Sequence, residues 1–255
     1  MANFDVEKIR NVAVIAHGGA GKTSLVEAML YDAKASSRLG TIEAGNTVTD
    51  YEPEEIDRKI SVSSATAFCD WNNHRINIID TPGYISFLED TKGCLSVADG
   101  AIVIVSALSG VKAETEKLWQ FACKYEVPRI VFVNKLDREN ANFDRAIGEI
   151  EKSYESSAIP LNIPMGSGES FRGVIDILKM KAFEFSEDSF SEVDIPDELR
   201  GTAEEYRKKL VEKIAESDDT LLEKYLEGGE LTDEELLKGI REGSVTRRFI
   251  PVVCG

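Results

Sequence analysis

Over roughly the first 157 residues, short unbroken apolar runs alternate with longer stretches in which apolar residues recur every three or four positions. The runs read as strands buried on both faces, and the longer stretches as amphipathic helices. Asn11-Val-Ala-Val-Ile-Ala16 predicts one such strand, followed by a helix from about Lys22 to Ala33. Ser61–Cys69 and Arg75–Ile79 predict a hairpin around Asn72-Asn73, both suited to a tight turn. A helix near Ser86–Ala98, a strand at Ala101–Ala107, a helix near Ala113–Tyr125, a strand at Arg129–Asn134 and a helix at about Asn142–Ser157 continue the series. This alternation predicts an α/β fold, a mainly parallel sheet with helices on both faces. The polar, turn-rich stretch from Ser36 to Ile60 is too long for a plain connection, so it is either functional or mobile.

From about Ile159 the pattern changes. Phe171 to Phe185 reads as one or two strands, and three acidic helices follow. Leu199, Ala203, Tyr206, Leu210 and Ile214 form an apolar stripe at helical spacing. Asp218 or Asp219 can cap the second helix, with Gly228-Gly229 ending it, and Thr232 with Glu235 makes a capping box for the third. Phe249-Ile-Pro-Val-Val-Cys-Gly255 reads as a buried strand. The expected division is a core at 1–158, an inserted α+β subdomain at 159–248, and a return strand of the core at 249–255.

Composition narrows the class. Apolar residues make up 42% of the 255 positions, enough for a core, and no apolar run is long enough to span a membrane. The start, MANFDVEKIR, carries no export signal. A net charge of −16 argues against a nucleic-acid grip, so neither DNA nor a membrane is an expected partner. Cys69, Cys94, Cys123 and Cys254 stand apart, as buried single thiols do in a reducing compartment, and the cytoplasm is the expected location. Trp71 and Trp119 read as packing residues, His17 as structural and His74 as solvated.

Three motifs carry chemistry. Ala16-His-Gly-Gly-Ala-Gly-Lys-Thr23, between a strand and a helix, fits a phosphate-binding loop. Ala16, His17, Gly18, Gly19, Ala20, Gly21 and Ser24 would supply backbone around a phosphate at a helix N-terminus. Lys22 would reach the β- and γ-phosphates, and the Thr23 hydroxyl would ligate Mg²⁺. Asp80-Thr-Pro-Gly83 ends the strand at Arg75–Ile79; its carboxylate can hold Mg²⁺ and its Gly83 N–H can sense a γ-phosphate. Asn134-Lys-Leu-Asp137 closes a later strand. Asp137 can accept two hydrogen bonds from guanine that adenine cannot offer, and the Lys135 stem can stack on the base, with Asn134 bracing the loop. That preference also weighs against a P-loop kinase or ATPase.

The combination resembles the GTPase domain of elongation factor G, a translational GTPase. Asp57-Arg-Lys-Ile-Ser-Val-Ser-Ser-Ala65 is similar to that family's switch I segment, usually ERGITIxSA, and Asp80-Thr-Pro-Gly-Tyr-Ile-Ser-Phe87 to its DTPGHVDF. Phe171-Arg-Gly-Val-Ile-Asp176, Met180-Lys-Ala182, Ile195-Pro196 and Pro251–Gly255 resemble the insert such factors carry. The resemblance implies a GTP/GDP–Mg²⁺ switch that hydrolyses GTP and acts on the ribosome, monomeric in its full-length form. It implies that the Ser61 hydroxyl joins Thr23 and Asp80 on the metal. It also implies that the chain is a fragment, with the apolar residues of 249–253 left at a sheet edge.

Four positions depart from the family. Its catalytic histidine is Tyr84, its phosphate-loop aspartate is Gly19, the neighbouring apolar residue is Gly18, and its switch I glycine is Lys59. Tyr84 is the candidate catalytic residue beside Lys22, but it offers a hydroxyl and no cation near neutral pH, so slow hydrolysis is expected. A paralogue branch of elongation factor G also carries tyrosine there. The alternative is a GTP-binding relative that occupies the ribosome as a regulator or protection factor.

Overall fold

The computed structural model describes residues 5–154, 156, 158–186 and 189–255. They fall into two compact units, one reaching Ile104 and including Lys112–Pro128, the other made of Val105–Val111 and Arg129–Gly255.

In the first unit, β1 (Ile9–Ile15), β2 (Ala65–Trp71), β3 (His74–Asp80) and the Gly100–Ile104 part of β4 (Gly100–Ser106) lie in the order β2-β3-β1-β4. Ala13, Val14 and Ile15 are fully buried, which is why that run of β1 needs no polar alternation. β1 is parallel to both neighbours, with Val12 opposite Ile78 and Val14 opposite Ile102. The pairing of Val14 with Asp80 decides the function-bearing geometry: it sets the last residue of β3 beside the end of β1. In parallel sheets the carboxyl ends of strands are where ligands bind. The β2–β3 hairpin turns at Asn72 and Asn73, both left-handed at φ 45° and 61°. The helices of this unit are α1 (Lys22–Asp32), α2 (Pro53–Arg58), α3 (Leu88–Leu95) and α4 (Ala113–Lys124).

In the second unit, β5 (Arg129–Asn134), β11 (Ile250–Cys254) and β6 (Ala158–Pro160) are parallel in the order β5-β11-β6. The helix α5 (Phe143–Tyr154) precedes β6 and buries Ile147 and Ile150. A four-stranded antiparallel sheet follows in the order β10-β9-β8-β7, from β7 (Asn162–Met165), β8 (Gly173–Asp176), β9 (Lys181–Phe185) and β10 (Phe190–Val193). Then come α6 (Asp197–Ala215), α7 (Asp219–Leu226) and α8 (Asp233–Val245). Ala203, Leu210 and Ile214 of the α6 stripe are buried. Asp218 is the cap of α7, accepting from the amides of Thr220 at 2.9 Å and Leu221 at 3.1 Å. The Thr232–Glu235 box closes both ways, at 3.3 and 2.7 Å.

Several expectations need correction. The stretch 36–60 contains the helix α2, started by Pro53 at its first position and ended at Lys59 in left-handed backbone, φ 56°. It buries a glutamate and no apolar side chain, so it lacks the stripe by which a helix is recognised. β2 begins at Ala65 and not Ser61, because Glu55 takes the Val62 and Ser63 amides that a strand would have paired. Strands β6, β7 and β10 are too short to show a period. The end of the helix expected to reach Ser157 falls partly outside the described residues. β11 is flanked on both sides, and Phe249, Ile250 and Val252 are buried, with the Phe249 ring packed against Gly243 of α8. The expected bare edge is therefore not present. Trp119 is buried as expected, but Trp71 is 48% exposed at the hairpin end. Cys69 and Cys254 are buried, whereas Cys123 is exposed.

Candidate functional site

The loop from Ala16 to Gly21 joins β1 to α1. Gly21 sits at φ 103°, ψ 28°, and Gly19 at φ 75°, backbone that glycine adopts without strain. No side chain caps α1, so its first-turn amides face the loop. His17 is held against α4: its amide donates to Thr115 Oγ1 at 3.2 Å, and its ring Nδ1 lies 3.2 Å from the same oxygen. Its role in these contacts is structural.

Lys22 is only 6% exposed, and its Nζ donates to Ala16 O at 3.3 Å and His17 O at 3.2 Å. Burial pulls its pKa down to about 8, against the opposing pull of Asp80 and Asp50. Thr23 Oγ1 donates to Asp80 Oδ2 at 2.8 Å and lies 3.3 Å from Ser61 Oγ. Thr23, Ser61 and Asp80, widely separated in sequence, are thus brought together. Asp80 is 2% exposed, and burial raises its pKa against hydrogen bonds from Thr49 and Thr23. Its other oxygen, Oδ1, is buried with no hydrogen-bond partner.

Two neighbours in this cluster escaped the sequence reading. Thr49 Oγ1 donates to Asp80 Oδ2 at 2.7 Å, and Ser61 Oγ donates to Asp50 Oδ1 at 2.6 Å. Burial also raises the Asp50 pKa, with the Ser61 bond opposing. No sequence signal marks them: in the polar run Thr47-Val-Thr-Asp50, three side chains that read as solvated are buried. Two buried glutamates hold the backbone on either side of this cluster. Glu27 of α1 accepts from the amides of Gly40 and Val48, and Glu55 of α2 from those of Val62 and Ser63.

The oxygens of Thr23, Ser61, Asp50 and Asp80 suit a hard cation, and the orphaned Asp80 Oδ1 gives such an ion something to bind. Among the described residues no group of three His, Cys, Asp or Glu side chains could hold a metal. One or two carboxylates completed by phosphate oxygens is how Mg²⁺ is usually held. The residues therefore fit Mg²⁺ carried in with a polyphosphate.

Gly83 and Tyr84 follow the metal cluster. Gly83 packs so closely on the loop that a Cβ there would fall 2.7 Å from Gly18 N and run into Lys22 Nζ. The Tyr84 side chain is 44% exposed.

In the second unit, Asn134 ends β5 and its Oδ1 accepts from the Lys135 amide at 2.7 Å. Lys135 is left-handed at φ 66°, and Leu136 is fully buried, its carbonyl accepting from the Gly168 amide at 2.7 Å. That anchor turns Asp137 outward. Its carboxylate is exposed and lies 3.2 Å from Arg138 Nε.

Residues 7–255 match the family described as Elongation factor Tu GTP binding domain. The chain belongs to that family. It is 44% identical over 254 residues to an elongation factor G of Thermotoga sp. (strain RQ2), covering 98% of this chain and 36% of that protein. An elongation factor G of Thermotoga maritima is 43% identical, with 98% and 37% covered. A crystal structure from Thermus thermophilus superposes with a TM-score of 0.92 at 36% identity, over 97% of this chain and 37% of that one. The chain thus spans little more than a third of the length of the relatives it matches, within their GTPase region. With that likeness, the mainly parallel strands and the excursion between β6 and β11 make this an α/β P-loop GTPase fold with an inserted subdomain. No helix among the described residues is long and apolar enough to cross a membrane.

Proposed function

We propose that this chain is the GTP- and Mg²⁺-binding domain of an elongation factor G-like translation factor that acts on the ribosome and converts GTP to GDP and phosphate. The observation that carries the reading is the buried Asp80 carboxylate at the end of β3, bonded to Thr23 and left with one oxygen unpartnered. In this reading the amides of Ala16 to Ser24 wrap the phosphates, and Lys22 leaves its loop carbonyls to neutralise the terminal ones. Thr23, Ser61 and Asp80 would hold the metal, which would supply positive charge to the phosphates. The Gly83 amide meets the γ-phosphate, while Asn134 and Lys135 brace and cover the base that Asp137 reads. We assign the core to 1–158, the insert to 159–248 and the return strand to 249–255. The factor works as a monomer in the cytoplasm.

A second reading, in which GTP is held but hydrolysis is deficient, draws support from Tyr84. A phenol offers the transferring phosphoryl group no positive charge at neutral pH, and Gly19 supplies no carboxylate to the loop. A GTPase that is slow on ribosomes would act there as a regulator or protection factor. Ribosome-stimulated turnover separates the two.

Base recognition is tested by titrating GDP, GTP, ATP and xanthosine diphosphate against the wild-type chain and Asp137→Asn. The wild type prefers guanine nucleotides, and the variant shifts toward xanthine nucleotides, whose ring carbonyl suits an amide donor. Losing a charged hydrogen-bonding partner costs about 1.5–3 kcal/mol, or roughly ten- to hundredfold in GDP affinity. Unchanged GDP binding in the variant would remove Asp137 from the site.

A further inference from the structure

The phosphate loop carries two adjacent glycines for different reasons. Gly19 is left-handed at φ 75°, and a Cβ added there would meet nothing within 4 Å, so its backbone is what asks for glycine. Gly18 has no such backbone requirement. A Cβ built there falls 2.8 Å from Tyr84 Cζ and 3.0 and 3.1 Å from the two Cε atoms. The hydroxyl-bearing end of the tyrosine ring therefore lies flat on the Gly18 backbone, where even a methyl group would displace it. Next to it, Gly83 touches Gly18 and Lys22 just as closely. Ring, turn and loop close together over the end of Lys22, the end that meets the terminal phosphate of a bound triphosphate.

We propose that Gly18 and Tyr84 form a steric latch that holds the 80–84 turn down on the phosphate loop and thereby favours a nucleoside diphosphate over a triphosphate. The latch rests on the guanine-nucleotide reading above. A diphosphate fills the loop without reaching the ring, whereas a third phosphate has to lift the ring and Gly83 together. A ligand shifts such an equilibrium only by its differential affinity for the two arrangements, so the latch should appear in the ratio of the two affinities.

The test titrates fluorescent GDP and a non-hydrolysable GTP analogue, with Mg²⁺, into the wild-type chain, Tyr84→Ala, Gly18→Ala and the double variant. The wild type should prefer GDP. Tyr84→Ala should narrow that preference by at least about threefold, and Gly18→Ala, which pushes the ring off, should narrow it similarly. The double variant should go no further, since residues in contact are not additive. An unchanged ratio in Tyr84→Ala overturns the latch, and so does a selective loss of triphosphate binding, which would make the ring a γ-phosphate contact. If Gly18→Ala loses both nucleotides, the Tyr84→Ala ratio decides alone, because that partly exposed ring can be removed without opening the core. A wild-type chain that binds no guanine nucleotide defeats the functional reading instead, so the two failures are distinguishable.

Discussion

Glu27 is the residue whose removal should say most about how the metal cluster is held. It lies on α1, one helical turn past Lys22 and Thr23, and is 1% exposed. Its carboxylate accepts from the Gly40 amide at 3.1 Å and from the Val48 amide through its other oxygen. Thr49 and Asp50, the next two residues, meet Asp80 and Ser61. Glu27 is therefore the tether between the helix of the phosphate loop and the segment that completes the cation site. Glu27→Ala removes two charge-assisted hydrogen bonds of about 1.5–3 kcal/mol each. The Val48 amide is only partly buried and can regain water, so we expect a net loss of about 3 kcal/mol. For a chain of this size that is a fall of about 6–12 °C in melting temperature. Glu27→Gln keeps one carbonyl acceptor but turns amide hydrogens toward a backbone N–H, and should fall between the two. Thermal melts followed by circular dichroism, with amide hydrogen exchange at Gly40 and Val48, check this directly. A melting temperature within about 2 °C of wild type, with both amides still protected, would refute the reasoning. Gly40→Ala is an independent probe, since its Cβ would fall 2.5 Å from Glu27 Oε2 and 2.8 Å from Asn46 O.

Three further outcomes are expected. Tyr84→His should raise GTP turnover, measured with and without ribosomes, because one missing transition-state contact can cost on the order of 10²–10³ in rate; rapid wild-type turnover indifferent to Tyr84→Phe would contradict this. Lys59→Gly should raise the melting temperature by about 1–4 °C, since Lys59 holds left-handed backbone at φ 56° that costs a side-chain-bearing residue about 1–2 kcal/mol, less what glycine loses in chain entropy. The Asp218 carboxyl is held below its usual pKa by backbone amides at the start of α7. A depressed carboxylate stabilises fully above its unfolded pKa and loses that contribution as pH falls through the folded one. Asp218→Ala should therefore lower stability at neutral pH, with the gap to wild type closing in acid below the ordinary carboxylate range, as read from melts across pH.

The parts of this protein that were legible in its sequence are those where one residue type has one physical use. The buried run of β1, the Asn72-Asn73 turn, the glycines of the phosphate loop and the Thr232–Glu235 box all speak locally. The segment 36–60 did not, because its order comes from buried charge and not from apolar periodicity. Glu27 and Glu55 are each 1% exposed and, besides the local Glu52 amide at Glu55, accept from backbone amides that lie 7–21 residues away in sequence. No spacing rule announces such a pairing. The same holds for Thr49 and Asp50, which look like solvated loop residues until the 40–48 tether turns them inward. From sequence β11 reads as an edge strand for a related reason, since its second neighbour is β6, three residues long and too short to read as a strand.

The four departures from the family's usual residues sort by the same logic. Lys59 keeps the left-handed backbone for which the family uses glycine, so that change leaves the geometry and adds strain. Gly19 is left-handed at φ 75°, backbone that an aspartate would hold only under strain, so the missing aspartate takes a charge out of the loop and relieves that strain. Gly18 and Tyr84 differ, because neither makes structural sense alone. With a larger side chain at 18 the ring could not lie where it does, and with histidine at 84 nothing would fill the face that Gly18 leaves open. Restoring histidine by itself therefore supplies the charge but leaves a gap beside the phosphate loop, where water enters. The full gain in turnover should require Tyr84→His together with an apolar side chain at 18. Tyr84→His alone should recover part of it.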